Sequence, residues 1–160
     1  MKRAEKKRLI AAQLLNLNRQ GNMLKSRGFC QHGKTTVYQH SINVAYCSLT
    51  VAQILHLKVC RDGLIRGALL HDYFLYDWHE KDKSHRFHGF RHPKTALHNA
   101  KRDFLLSEVE ENIIARHMFP LLPVPPTYKE SWIVCLVDKG CSTYEIVYQG
   151  EKANEGERIK

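Results

Sequence analysis

Apolar residues recur every three to four positions over most of this chain, the spacing of helices that each bury one face. Residues 4–18 (AEKKRLIAAQLLNLN) place Leu9, Ile10, Leu14, Leu15 and Leu17 in that register and predict a first helix. The pattern breaks around Gly21, Gly28 and Gly33, which predicts a loop. From Thr36 to about Leu57, the positions Val37, His40, Val44, Cys47, Val51 and Ile54 share one face of a long helix. Asp62 reads as the N-cap of the next helix, LIRGALLHDYFLYD, where Leu64, Ala68, His71 and Leu75 keep the period.

Residues 77–91 (DWHEKDKSHRFHGFR) lose all periodicity and predict a loop crowded with charge and histidine. Pro93 suits the first turn of a helix from about residue 92 to Phe104. Ser107 with Glu110 three residues on is a capping-box signature, and the helix it opens stops before Pro120. LLPVPPTYK is a proline-rich connector. A last helix is expected from Tyr128 to about Tyr148, with Ile133, Leu136 and Val137 as its apolar positions and Gly140 weakening it. Strand signals are weak throughout. The expectation is an all-α fold: a single compact domain of about six helices. Residues 1–30 form a basic start and first helix, 31–149 the main domain, and 150–160 (EKANEGERIK) a mobile polar tail.

Composition narrows the class. At 160 residues, 43% hydrophobic and 26% charged, the chain suits one soluble globular core. No stretch approaches the ~18 apolar residues of a membrane span, and MKRAEKKR is not followed by a secretory apolar run. The five cysteines are odd in number and none has CxxC spacing, which argues against a zinc ribbon and a disulfide framework. They read as reduced thiols of a cytoplasmic protein. The formal net charge of +9 suits an anionic ligand and also attracts nucleic acid non-specifically. The first eight residues carry five Lys/Arg against one Glu, and the plain reading is a solvated, frayed basic terminus.

The ten histidines change the picture more. His71-Asp72 is an adjacent imidazole and carboxylate. Neighbours on a helix point about 100° apart, but near a helix end both can reach one ion. Nitrogen and carboxylate oxygen together suit Fe, Mn, Ni, Co or Zn. His40 falls at a core-facing position, where a buried imidazole needs a partner, either a metal or a backbone carbonyl. Asp138, in IVCLVDKG, follows an apolar run and needs a cation, unless it pairs with Lys139 or caps a turn. His92 and His117 sit at the ends of expected helices. His85, His88 and His98 compete with His92, and His32, His56 and His79 read as structural or surface residues.

The order His40, His71-Asp72, His92, His117, Asp138 carries a family resemblance. YQHSINVAYCSLTVA followed by GALLHDYFLYDW resembles the opening of an HD-domain phosphohydrolase, and LVDKG is similar to its closing motif. The resemblance implies an HD-domain fold over most of the chain and divalent transition-metal cofactors. It is closest to the binuclear version, in which Asp72 would bridge two ions. His40, His71 and Asp138 would complete one site, and His92 and His117 the other. The implied reaction is attack of a metal-bound hydroxide on a nucleotide or other small phosphate ester. His71 and Asp72 would take part in catalysis, and Lys94 and Arg116 would position phosphate. Lys139, Arg86 and Arg91 are further cation candidates. Trp78, Phe87, Phe90 and Phe119 could stack on a base, though they read first as core or loop anchors. Two alternatives stay open: a di-iron oxygenase of the same superfamily, and a non-enzymatic helical domain that binds a nucleotide or RNA. The expected partner is a small phosphorylated molecule, with no membrane; the oligomeric state is left open.

Overall fold

The computed structural model describes residues 1–32, 35–77 and 88–158, with side chains described through residue 147 except at positions 32 and 88. Six α-helices dominate: α1 (Arg3–Gln20), α2 (Val37–Ile54), α3 (Arg61–Leu70), α4 (His88–Asp103), α5 (Glu108–Arg116) and α6 (Lys129–Arg158). The all-α expectation holds. A 3₁₀ turn (Met23–Gly28) and a two-stranded antiparallel hairpin, β1 (Cys30–His32) with β2 (Thr35–Thr36), occupy the stretch expected as loop. No described helix is long and apolar enough to cross a membrane.

The helix ends follow local chemistry. Thr36 caps α2 by accepting the Gln39 amide on its side chain. At the other end His56 adopts φ 51°, and the Leu57 amide reaches back to the Ala52 carbonyl, which closes the helix in a left-handed turn. Ser107 and Glu110 form the expected reciprocal capping box on α5. Asp62 is not the cap of α3. Cys60 is, its amide donating to the Glu130 carboxylate at 2.7 Å, and Asp62 sits in the first turn, where a carboxylate complements the helix dipole.

Three more expectations are corrected. First, α3 stops at Leu70 although the apolar period runs on past it. The Asn99 side-chain amide donates to the Tyr73 and Phe74 carbonyls, and Leu75 takes φ 59°, so those carbonyls serve a turn instead of a helix. Second, α4 begins at His88, and Pro93 lies inside it, where the missing amide leaves Gly89 without its helical donor. Third, Leu136 is 63% exposed; Ile133, Val134 and Cys135 carry the buried face of α6. That helix continues to Arg158, beyond the end expected near Tyr148. The basic terminus is not simply frayed either. Lys6 is buried, its ammonium donating to Thr50 Oγ1 at 2.8 Å and standing 5.4 Å from the Tyr46 ring centre.

The core is centred on α3, which packs against α1, α2, α5 and α6. Leu64, Ile65, Ala68, Leu69 and Leu70 are fully buried. Each of the large ones stabilises the fold by about 1.5–3 kcal/mol through burial. Gly67 lets α5 approach closely: a Cβ there would meet Ile113 Cδ1 at 2.4 Å. This packing sets the end of α3 at the middle of the molecule, with the ends of α4 and α5 beside it.

Candidate metal centre

Six side chains from five elements converge where α3 ends. His71 is the residue after α3, and Asp72 follows in the turn. His40 comes from the first turn of α2, His92 from the fifth position of α4, and His117 caps α5. Asp138 comes from the middle of α6. All six are buried: His40 and His71 at 0% exposure, His117 at 1%, Asp72 at 3%, His92 at 5% and Asp138 at 6%. A group of this polarity without solvent is costly unless each member finds a partner.

The imidazoles are held from behind so that Nε2 points inward. His71 Nδ1 lies 2.7 Å from the Ala68 carbonyl, and His117 Nδ1 lies 2.9 Å from the Ile114 carbonyl. A carbonyl only accepts, so Nδ1 carries the proton, and each Nε2 can offer a lone pair. His40 Nδ1 lies 2.9 Å from Glu145 Oε2, with Nε2 3.0 Å from Asp138 Oδ1.

Asp72 is the shared member. Its Oδ2 lies 3.3 Å from His71 Nε2, and its Oδ1 lies 3.2 Å from His92 Nε2 and 3.5 Å from His117 Nε2. His92 and His117 face each other through Nε2 atoms 2.8 Å apart. Two trios could each hold an ion: His40, His71 and Asp72, and Asp72, His92 and His117, each with its ligand atoms within 4.8 Å of one another. Asp138 Oδ1 adjoins the first trio, 3.5 Å from His71 Nε2.

The electrostatics are those of a cation site. Burial opposes charge on His40, but hydrogen bonds to Asp138 and Glu145 outweigh it and push the imidazole up to about 9. Burial opposes charge on His71 too, and the nearby Asp72 and Asp138 carboxylates raise it well above the usual histidine range. Asp72 and Asp138, against their own burial, are held well below the usual carboxylate range by the surrounding imidazoles. His117 is lowered, mainly by burial. Among the six converging side chains, two buried atoms nevertheless lack any aligned hydrogen bond, His71 Nε2 and Asp72 Oδ1. A ring nitrogen and a carboxylate oxygen, both buried and both aimed inward, fit a divalent transition ion that would take the place of the imidazolium proton.

A cavity of about 770 Å³ opens onto Asp72, His92, His117 and Asp138. Met118, Pro120, Leu121 and Ile146 contribute apolar lining, and Gln31, Lys139, Ser142 and Thr143 polar lining.

The HD domain family model matches residues 37–140, well over half of the chain. The chain belongs to the HD domain family. Searches of curated proteins and of solved structures gave no match. The matched segment of this HD domain contains all six converging residues.

Other sequence candidates fall elsewhere. Lys94 is exposed on α4, two positions from His92 and so on another side of the helix, and it does not line the cavity. Arg116, half-buried and one position before His117, does not line it either. Arg91, His98 and Phe90 are exposed. Lys139 does reach the cavity, but its ammonium also donates to the His117 and Cys135 carbonyls at 2.8 and 3.1 Å. Phe119 packs edge-on against Trp132, with ring centres 5.5 Å apart, which is an anchoring role. Trp78, His79, His85, Arg86 and Phe87 lie outside the described residues, as do the side chains of His32 and His88. None of the five cysteines forms a disulfide among the described residues.

Two residues at the centre escaped sequence reasoning. Gln31, on β1, donates its amide to Asp72 Oδ2 at 2.6 Å. Glu145, on α6, accepts from His40 and from the Asn43 amide at 3.0 Å. Glu145 lies seven residues after Asp138, two helical turns along the same face, a spacing that could have revealed it. Gln31 carried no such signal.

Proposed function

We propose that this HD domain is a metal-dependent phosphohydrolase acting on a nucleotide or another small phosphate ester at a two-ion centre. The observation that carries the reading is the pair of buried trios sharing Asp72, with His71 Nε2 and Asp72 Oδ1 left without aligned partners. Divalent ions held there lower the pKa of a bound water and neutralise charge on a phosphoryl oxygen. His40, His71, Asp72 and Asp138 would hold one ion; Asp72, His92 and His117 would hold the other.

The chain's own groups do the rest. The Ala68 and Ile114 carbonyls and the Glu145 carboxylate fix the rings of His71, His117 and His40, so the centre is oriented before substrate arrives. The apolar lining residues Met118, Pro120, Leu121 and Ile146 would accept a base or an alkyl group. Ser142 and Thr143 bring hydroxyls to the same lining. A cavity of about 770 Å³ lies within the range of small-molecule sites.

The test is phosphate release from a panel of nucleoside monophosphates and simple phosphate esters. Chelator-stripped protein should be inert and should regain turnover with one or more of Mn, Co, Fe, Ni or Zn. Protein that binds no metal and stays inert after every addition overturns the reading. Metal binding with oxygen uptake and a mixed-valence di-iron resonance, but no phosphate release, transfers the centre to oxygenase chemistry.

A further inference from the structure

His40 and His117, one from each half of the centre, have different electrostatic surroundings. Behind His40 stands a full negative charge: the Glu145 carboxylate, 6% exposed, at 2.9 Å from Nδ1. Asp138 adds a second carboxylate on that side. Behind His117 stands only the neutral Ile114 carbonyl, and the Lys139 ammonium donates to the carbonyl of His117 itself at 2.8 Å. Asp72 is common to both halves, so it does not distinguish them. An ion held by His40 would therefore have a buried carboxylate one imidazole away. An ion held by His117 would have an ammonium beside its ligand. Unit charges at such distances inside a protein change ion affinity substantially.

Glu145 also lies beyond the family-matched segment, which ends at residue 140. It is secured on its far oxygen by Asn43, from the same helix as His40. A carboxylate on the rear nitrogen of a ligating imidazole orients the ring and makes it a better donor.

We propose that the two half-sites load unequally, that the His40 half is the tighter, and that Glu145 is the positioning residue responsible. This rests on the two-ion reading above. Its test is therefore ion binding itself, without turnover. Mn²⁺ is titrated into chelator-stripped full-length protein by calorimetry, with stoichiometry checked by plasma mass spectrometry. The expected isotherm has two steps at least about tenfold apart. Glu145→Gln keeps the shape and an acceptor for His40 but removes the charge. It weakens the first step by about ten- to hundredfold and leaves the second in place. His92→Ala deletes the second step alone, and Lys139→Met tightens it.

A merely structural role for Glu145 would lower both steps together, and that result overturns the proposal. Asn43→Ala removes one of the donors to Glu145 and weakens the same first step by a smaller factor; it serves where Glu145→Gln does not fold. Two equal steps overturn the inequality but leave the two-ion centre standing. A single ion lost in His40→Ala and kept in His92→Ala supports the tight half and removes the second ion. The reverse pattern, or no binding at all, overturns the proposal, and no binding also overturns the metal reading.

Discussion

The apolar residues between positions 64 and 70 and the two residues that follow them, His71 and Asp72, are alike buried and opposite in character. Leu64, Ile65, Ala68, Leu69 and Leu70 fill the middle of the core with hydrocarbon, and their burial favours folding. His71 and Asp72, the next two residues, are just as inaccessible, and their burial opposes folding unless charge or a cation compensates. The first stretch makes the scaffold rigid. The second uses that rigidity to hold polar atoms, two of them without aligned partners, where water would otherwise dissolve the arrangement. Changes in the two stretches should therefore separate stability from metal binding.

The largest effect is expected at Asp72. Asp72→Asn is nearly isosteric but removes the charge shared by both trios. Metal content should fall to background and phosphate release by at least about a thousandfold, given that removal of a key electrostatic group costs about 10²–10³ and here two half-sites fail together. Circular dichroism of the variant should stay helical. Next comes Leu69→Ala, which leaves a cavity in the apolar stretch. It should cost about 2–5 kcal/mol of unfolding free energy in urea titrations and leave metal stoichiometry at the wild-type value. Gly67→Ala forces a methyl against Ile113 and should cost about 1–3 kcal/mol, again with metal content intact.

The smallest effect concerns acid. Asp103 is held well below the usual carboxylate range by Arg102 first, against some burial, and then by Tyr73 and Asn22. A depressed carboxylate adds stability above its unfolded pKa of about 4 and loses it as pH falls through the folded value. The stability gap between the stripped wild type and stripped Asp103→Asn should be constant at neutral pH and close below about pH 4. A gap unchanged down to pH 3 would remove Asp103 from the acid response.

Much of the fold was legible because helices with one buried face write their period into the chain. Ser107 and Glu110 announced α5, and Thr36 bounded α2. What stayed hidden depended on partners distant in sequence. Past the end of α3 the turn is held by Asn99, whose amide takes the Tyr73 and Phe74 carbonyls. The apolar period alone could not reveal that competitor. Cys60 caps α3 through Glu130, seventy positions away, so local propensity favoured Asp62 instead. At the centre, His40 and Asp138 were visible as polar residues on apolar faces. His92 and His117 came from family resemblance, and the structure places them against the same carboxylate. Lys94 and Arg116 were named for adjacency, which on a helix does not mean a shared direction.

The central claim is that these six buried side chains form one two-ion centre around Asp72. Anomalous diffraction at the manganese edge, from crystals grown after Mn²⁺ reloading, tests it most directly. The account predicts two peaks, both in coordination range of Asp72, one among His40, His71 and Asp138 and the other beside His92 and His117. A map with no peak at Asp72, or with manganese only at other surfaces, would contradict it.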